Sequence, residues 1–193
     1  METYNTAIFI FNDVEVLDFA GPFEIFNVAN EVIDQKLFNV FTFSEFEVQL
    51  KARNGLTIIP DFSIKNSPDV DILVVPGGVG RKIQMHNEHI LKWIQNRFNN
   101  LKYLVSVCTG AFIIGYAGLL KGLEATTHHA SYNEFEKSFP DTKLIKNVNY
   151  VDNGKIITAG GISKGMKASL YLLDKISGDY LGKKTAEEME YDY

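Results

Sequence analysis

The sequence predicts an α/β fold in which a mostly parallel sheet is covered by helices on both faces. Two observations carry this. TAIFIF (residues 6–11), DILVV (71–75) and YLVSV (103–107) are short apolar runs rich in β-branched residues. They lack the alternation of a half-exposed strand and therefore read as strands buried on both faces. Segments with apolar residues at helical spacing fall between them, which is the pattern of repeated βα units. Ligands on such sheets lie at the carboxyl ends of the strands. The loops after Phe11, Val75, Val107 and Ala159 are therefore where chemistry is to be sought.

Taken in order, the first strand ends in the turn pair Asn12-Asp13. A loop with Glu15 and Asp18 follows, then Gly21-Pro22 and a helix with Phe23, Ile25, Phe26 and Ala29 at its apolar positions. Pro22 suits a first helical position, where its missing N–H would have no partner anyway. Next come a strand at 38–44 and extended pieces at 47–52 and 56–60, with Asn54-Gly55 between the last two as a hairpin signal. The strand at 71–75 runs into Pro76-Gly77-Gly78. Asn87 caps a helix that reaches Phe98, with Ile90, Leu91, Ile94 and Phe98 on one stripe. The central strand and helix (residues 102–120) come next. A short strand at 124–128 leads to a helix ending near Ser138, opened by Ser131 and Glu134 as a capping box. Residues 143–147 and 149–152 are extended, and Asn153-Gly154 turns the chain into a strand at 155–159. Gly160-Gly161 leads to a helix from Ser163 to about Ser177 with Met166, Leu170 and Leu173 facing inward, and a last helix begins at Asp179. There is no internal repeat or long linker, so residues 1–193 are expected to form a single domain.

Composition narrows the function. The 193 residues are 46% hydrophobic and 12% aromatic, enough for a well-filled core. With 19 basic and 24 acidic side chains the formal charge is −5, and no stretch mixes Lys and Arg with aromatics, which argues against a nucleic-acid partner. The acidic end, AEEMEYDY, reads as a solvated tail or a final helical turn. No apolar run approaches the ~20 residues of a membrane span, and METYNTAIFIF has neither a basic start nor a cleavage site. A single cysteine cannot form an internal disulfide. These features predict a cytoplasmic protein with no membrane partner.

That cysteine, Cys108, sits where a buried strand meets a helix in KYLVSVCTGAFIIGYAGLL (102–120). A sharp strand-to-helix turn lifts its apex residue out of the sheet, and Gly110 allows the backbone to turn so tightly. The sulfur would lie at a helix N-terminus, where free N–H groups favour the thiolate. The alternative is a buried cysteine acting as a small hydrophobe. Asp18, between apolar residues in VLDFAGPFEIF, either caps the helix near Pro22 or serves as an active-site acid. Glu15 competes for that role, with solvated surface favoured. Gly77-Gly78 either turn the chain or offer N–H groups to an anionic intermediate. His128 and His129 follow the strand ATT and could orient Cys108, act as its base or form a structural pair. His86 and His89 have no second cluster of metal ligands and read as surface residues, so no metal site is predicted.

Together, LDFAGP, ILVVPGG, VSVCTGAFIIGYAGLLKGLEATTH and TAGGIS resemble the ThiJ/PfpI family and, within it, the isonitrile (isocyanide) hydratase branch. The resemblance runs from Ala7 to about Lys175. It implies a flavodoxin-like, class I glutamine amidotransferase-like three-layer sandwich, usually dimeric, with a nucleophile elbow. By motif it makes Cys108 the nucleophile, Thr109 its neighbour in the pocket and Asp18 the general acid/base. Gly78 and Gly110 would lie at the pocket floor with Gly161 and Ile162 nearby, and Gly77 and His128 join them as candidate contacts to a small-molecule substrate. Protease-like members have a histidine where this chain has Thr109, which argues against a Cys-His dyad. The hydratase-like branch often has an aromatic residue where this chain has His129.

The implied function is a hydratase (lyase) reaction on an isonitrile through a Cys108 thioimidate, with no cofactor. The rivals are a redox-sensing or stress-response protein with an oxidisable Cys108, a glyoxalase- or deglycase-like activity, and an amidase- or protease-like activity. A fourth is the sensor half of a transcription regulator, for which 193 residues are expected to leave no room.

Overall fold

The computed structural model describes residues 3–178 and 180–193. The chain opens with β1 (Tyr4–Phe9), α1 (Val16–Val32) and β2 (Phe38–Ser44). A two-stranded antiparallel ribbon, β3 (Leu50–Lys51) and β4 (Thr57–Ile58), precedes β5 (Phe62–Ser63) and β6 (Ile72–Val75). Next are α2 (Arg81–Gln84), α3 (Glu88–Phe98), β7 (Tyr103–Ser106) and α4 (Gly110–Tyr116). The last third contains β8 (Glu124–Ala125), α5 (Tyr132–Ser138), β9 (Lys143–Leu144), β10 (Tyr150–Asp152), β11 (Ile156–Ala159), α6 (Lys164–Ser177) and α7 (Leu181–Glu188).

Among the described residues the main sheet has seven strands in the order β10-β11-β7-β6-β1-β2-β5. All its pairings are parallel except β10 with β11. The central strands are buried throughout β6 and over Ala7–Phe9 of β1, as runs without alternation require. Helices α1, α6 and α7 pack together on one side, and α4 gathers α2 and α3 on the other. This is the flavodoxin-like sandwich that the sequence implied, and it brings the ends of β1, β6, β7 and β11 side by side.

Several local expectations give way to tertiary packing. α1 begins at Val16, so Pro22 lies inside it, and Asp18 belongs to its first turn rather than capping a later start. Proline at that point removes the N–H that would have bonded the Asp18 carbonyl. The helix continues because Ile25, Phe26 and Ala29 are completely buried, and packing of such a face outweighs propensity. The capping box at α5 does not form. Ser131 makes no capping hydrogen bond, and the Glu134 carboxylate instead takes Arg81 Nη2 at 2.6 Å. The extended pieces at 47–52, 56–60, 124–128 and 143–147 contract to two-residue strands, while Asn54-Gly55 does turn the ribbon, with φ of 65° and 95°. β5 had no sequence signal. The expected helix start at Asp179 lies outside the described residues, and α7 begins at Leu181. No helix of the described residues is long and apolar enough to cross a membrane.

Candidate active site

Cys108 occupies the turn between β7 and α4. Its φ of 56° is a left-handed conformation that a non-glycine residue adopts only under constraint. The constraints are visible. Its N–H donates to the Gly160 carbonyl at 2.9 Å, and its own carbonyl accepts the Thr127 hydroxyl at 2.8 Å. Ile162 is held at φ 46°, uncommon for a β-branched side chain, and the N–H groups of Thr109 and Ile162 face the sulfur. Two strained residues from neighbouring strand ends thus converge on one atom.

Asp18 comes to the same atom from the first turn of α1. Its side chain is fully buried. Oδ2 accepts the Gly77 N–H at 3.0 Å, and Oδ1 has no hydrogen-bond partner. Burial pushes the carboxyl up to about 7, against the opposing pull of the Gly77 N–H and the Cys108 thiol. Burial, then the charge of Asp18, pushes the thiol up to about 12, although the Thr109 and Ile162 N–H groups act the other way. Burial and the adjacent carboxyl thus oppose the helix-end preference for a resting thiolate. The helix-terminus effect is typically worth 0.3–1 kcal/mol, whereas a three-unit rise from the ordinary 9.0 corresponds to roughly 4 kcal/mol. The thiol and carboxyl form a coupled pair that holds its proton on sulfur or shares it.

A cleft of about 220 Å³ opens over the sulfur. Cys108, Thr109, Gly78, Ile162 and His128 line it. Glu15, Arg53, Val79, Arg81 and Lys82 form the rest of the lining, and of these only Glu15 had been weighed for the site from sequence. Glu15, expected at the surface, is the residue before α1 and pairs with Arg53 at 2.7 Å. Asp18 is fully buried and is not among the residues that line the cleft.

Of the glycines expected at the pocket, only Gly78 lines it. The Gly77 N–H is taken by Asp18 and the Gly78 N–H by Thr109 Oγ1 at 3.1 Å, so neither is free for an oxyanion. Gly110 sits under the Val75 carbonyl, and Gly161 is pressed against the His128 ring, where a Cβ would come within 2.1 Å of Cδ2. His128 is held as a wall. Its Nδ1 accepts the Ala130 N–H at 3.2 Å, its ring lies 4.3 Å from that of His129, and burial lowers its pKa. His129 itself is exposed and outside the cleft lining. His86 contacts Tyr116 and His89 contacts Glu45, and no group of three or more His, Cys, Asp or Glu among the described residues is placed to hold a metal.

Comparison with known proteins agrees with this architecture. Isonitrile hydratase of Pseudomonas putida is 30% identical over 182 residues, 94% of this chain and 76% of that protein. The HTH-type transcriptional regulator GbdR of Pseudomonas aeruginosa is 27% identical over 183 residues, 95% of this chain but 49% of the regulator, so the chain spans about half the length of that relative. A ThiJ/PfpI family protein from Pseudomonas syringae superposes with a TM-score of 0.88 at 24% identity, over all of this chain and 77% of that one. The sequence pattern of the DJ-1/PfpI family matches residues 5–175, from the first strand through most of α6, and the chain belongs to that family.

Proposed function

We propose that this chain hydrates a small isonitrile to an N-substituted formamide, with Cys108 as nucleophile and Asp18 as proton carrier. The observation that carries the reading is the buried Asp18 carboxyl, at about 7 and with Oδ1 unpartnered, beside an elbow thiol under a small cleft. A group at about 7 both gives and takes a proton at neutral pH, which a hydration needs at each step. The cleft is below the ~300–1,000 Å³ usual for drug-sized ligands, which favours a small substrate. The similarity to isonitrile hydratase supports the choice of reaction.

The reaction starts from the Asp18 carboxylate and the thiol. As sulfur bonds to the terminal carbon, the thiol proton passes to Asp18 and from there to that carbon, giving a thioimidate. Water then adds to the C=N bond while Asp18 takes one of its protons and hands it to nitrogen. The carbon–sulfur bond breaks as the hydroxyl oxygen becomes a carbonyl, its proton returns through Asp18 to sulfur, and the formamide leaves. The Thr109 and Ile162 N–H groups stabilise charge on sulfur during attack and departure.

The test is formamide production from a panel of isonitriles, with methylglyoxal alongside, by wild type and Cys108→Ser. Wild type is expected to release formamide and the variant to release none. Formamide at equal rates from both would remove the sulfur from the reaction, and turnover of methylglyoxal alone would replace the substrate class. Burial of the sulfur disfavours a redox-sensing role, because redox-sensor cysteines are solvent-accessible and Cys108 is buried. Mild peroxide at pH 7 is therefore expected to leave Cys108 as the thiol in intact-mass spectra. Rapid gain of one or two oxygens would contradict this.

A further inference from the structure

We propose that the cleft recognises a substrate bearing a carboxylate close to its reacting carbon, held by Arg81 and Lys82. The inference rests on the reading above for the reacting group and narrows it to a small isocyano carboxylate.

The charges of the wall carry it. Three cations, Arg53, Arg81 and Lys82, line the cleft against one carboxylate, Glu15. Arg53 is neutralised by that carboxylate. Arg81 is different. Its side chain is only 6% exposed, and Glu134, Met85 Sδ and the Phe112 ring, with Cζ 3.9 Å from its centroid, hold the guanidinium still. These contacts use Nη1 and Nη2 once each, and a guanidinium has five N–H donors in a fixed fork. Glu134 pairs with Arg81 at 2.6 Å, so Arg81 offers the geometry of its remaining N–H groups and the unpaired charge of the wall is that of Lys82. Lys82, the next residue, is exposed and has no carboxylate partner among the described residues.

A rigid fork beside a mobile ammonium suits a planar carboxylate, with the fork supplying geometry and the ammonium charge. A neutral isonitrile would leave the Lys82 ammonium and the remaining Arg81 donors unengaged. The small volume keeps the carboxylate within a few atoms of the carbon that meets Cys108.

Two measurements test this and separate it from the reaction assignment. In the first, kcat/KM for isocyanoacetate is compared with that for its methyl ester, which shares the reacting group. The acid is expected to be favoured about tenfold, and Lys82→Met to lower that preference by about tenfold, the worth of one charge-assisted hydrogen bond. In the second, Cys108 is alkylated with iodoacetate and with iodoacetamide. Sulfur bonds to the methylene carbon, iodide leaves and the thiol proton goes to solvent, so no isonitrile chemistry is involved. The ratio of the two rates is expected to exceed that of 2-mercaptoethanol about tenfold and to fall in Lys82→Met. If the ester is hydrated as well as the acid and the alkylation ratio matches the free thiol, anion recognition is overturned while hydration stands. If no isonitrile reacts but the iodoacetate preference holds, the reaction is wrong and the anion site remains.

Discussion

Asp18→Asn is expected to slow isonitrile hydration by about 10²–10⁴ and, above neutral pH, to make the protein more stable. Both effects come from one buried carboxyl. With its folded pKa near 7 and an unfolded value of 3.8, the unfolded chain releases the proton first as pH rises. Between about pH 4 and 7 the native state therefore binds more protons than the unfolded state, and stability falls with rising pH. The full difference, roughly three units or about 4 kcal/mol, is reached above pH 7. Asparagine is nearly isosteric, can still accept the Gly77 N–H, and never ionises. Melting temperatures of the two proteins should thus be similar near pH 4 and diverge by on the order of 10 °C at pH 8, with the variant higher. Wild-type kcat/KM should climb with pH toward about 7 and level off, since the carboxylate must be free to accept the thiol proton. A variant that melts no higher than wild type at pH 8 would show that the carboxyl is not held against its ionised form. Unchanged turnover would remove it from the mechanism.

The parts of this site that were legible in the sequence are those set by local pattern. The buried strands and the elbow at Cys108 follow from unbroken apolar runs and a change of period within one short stretch. What was not legible depends on residues distant in the chain. Pro22 marks a helix start by local rules, and only the packing of Ile25, Phe26 and Ala29 places that start at Val16. Ser131 and Glu134 have capping-box spacing, but Arg81, 53 residues away, takes the carboxylate. The helix end beside Cys108 is visible in sequence, whereas the burial and the adjacent buried carboxyl that oppose its effect on the thiol are not. Arg53, Arg81 and Lys82 carry no motif at all. The signal that could have found them is topological: Arg81 and Lys82 follow the end of a strand adjacent to the one that presents Cys108.

Gly110→Ala should be costly to both stability and activity. A Cβ at Gly110 would lie 2.0 Å from the Val75 carbonyl oxygen and 2.9 Å from Pro76 backbone atoms. No flexible side chain is available to yield. That same carbonyl accepts the Val107 N–H at 3.0 Å, and the Gly110 N–H donates to the Val107 carbonyl at 2.9 Å. The end of β6 and the start of α4 are thus fastened to the residue before Cys108, and a methyl group can be admitted only by prying them apart. Overpacking against backbone of this kind is expected to lower stability by about 3 kcal/mol. Because the displacement falls at the elbow, a shift of about 1 Å in the sulfur would also lower kcat/KM on the order of 10²-fold. Gly118→Ala is the control. There φ is 77° and no atom lies within 4 Å of the new Cβ, so only backbone strain of about 1–2 kcal/mol applies. Chemical denaturation and steady-state turnover of both variants separate the two effects: Gly118→Ala should lose stability alone and Gly110→Ala both. If Gly110→Ala were as stable and active as Gly118→Ala, the close approach of β6 to the elbow would not be what fixes the sulfur.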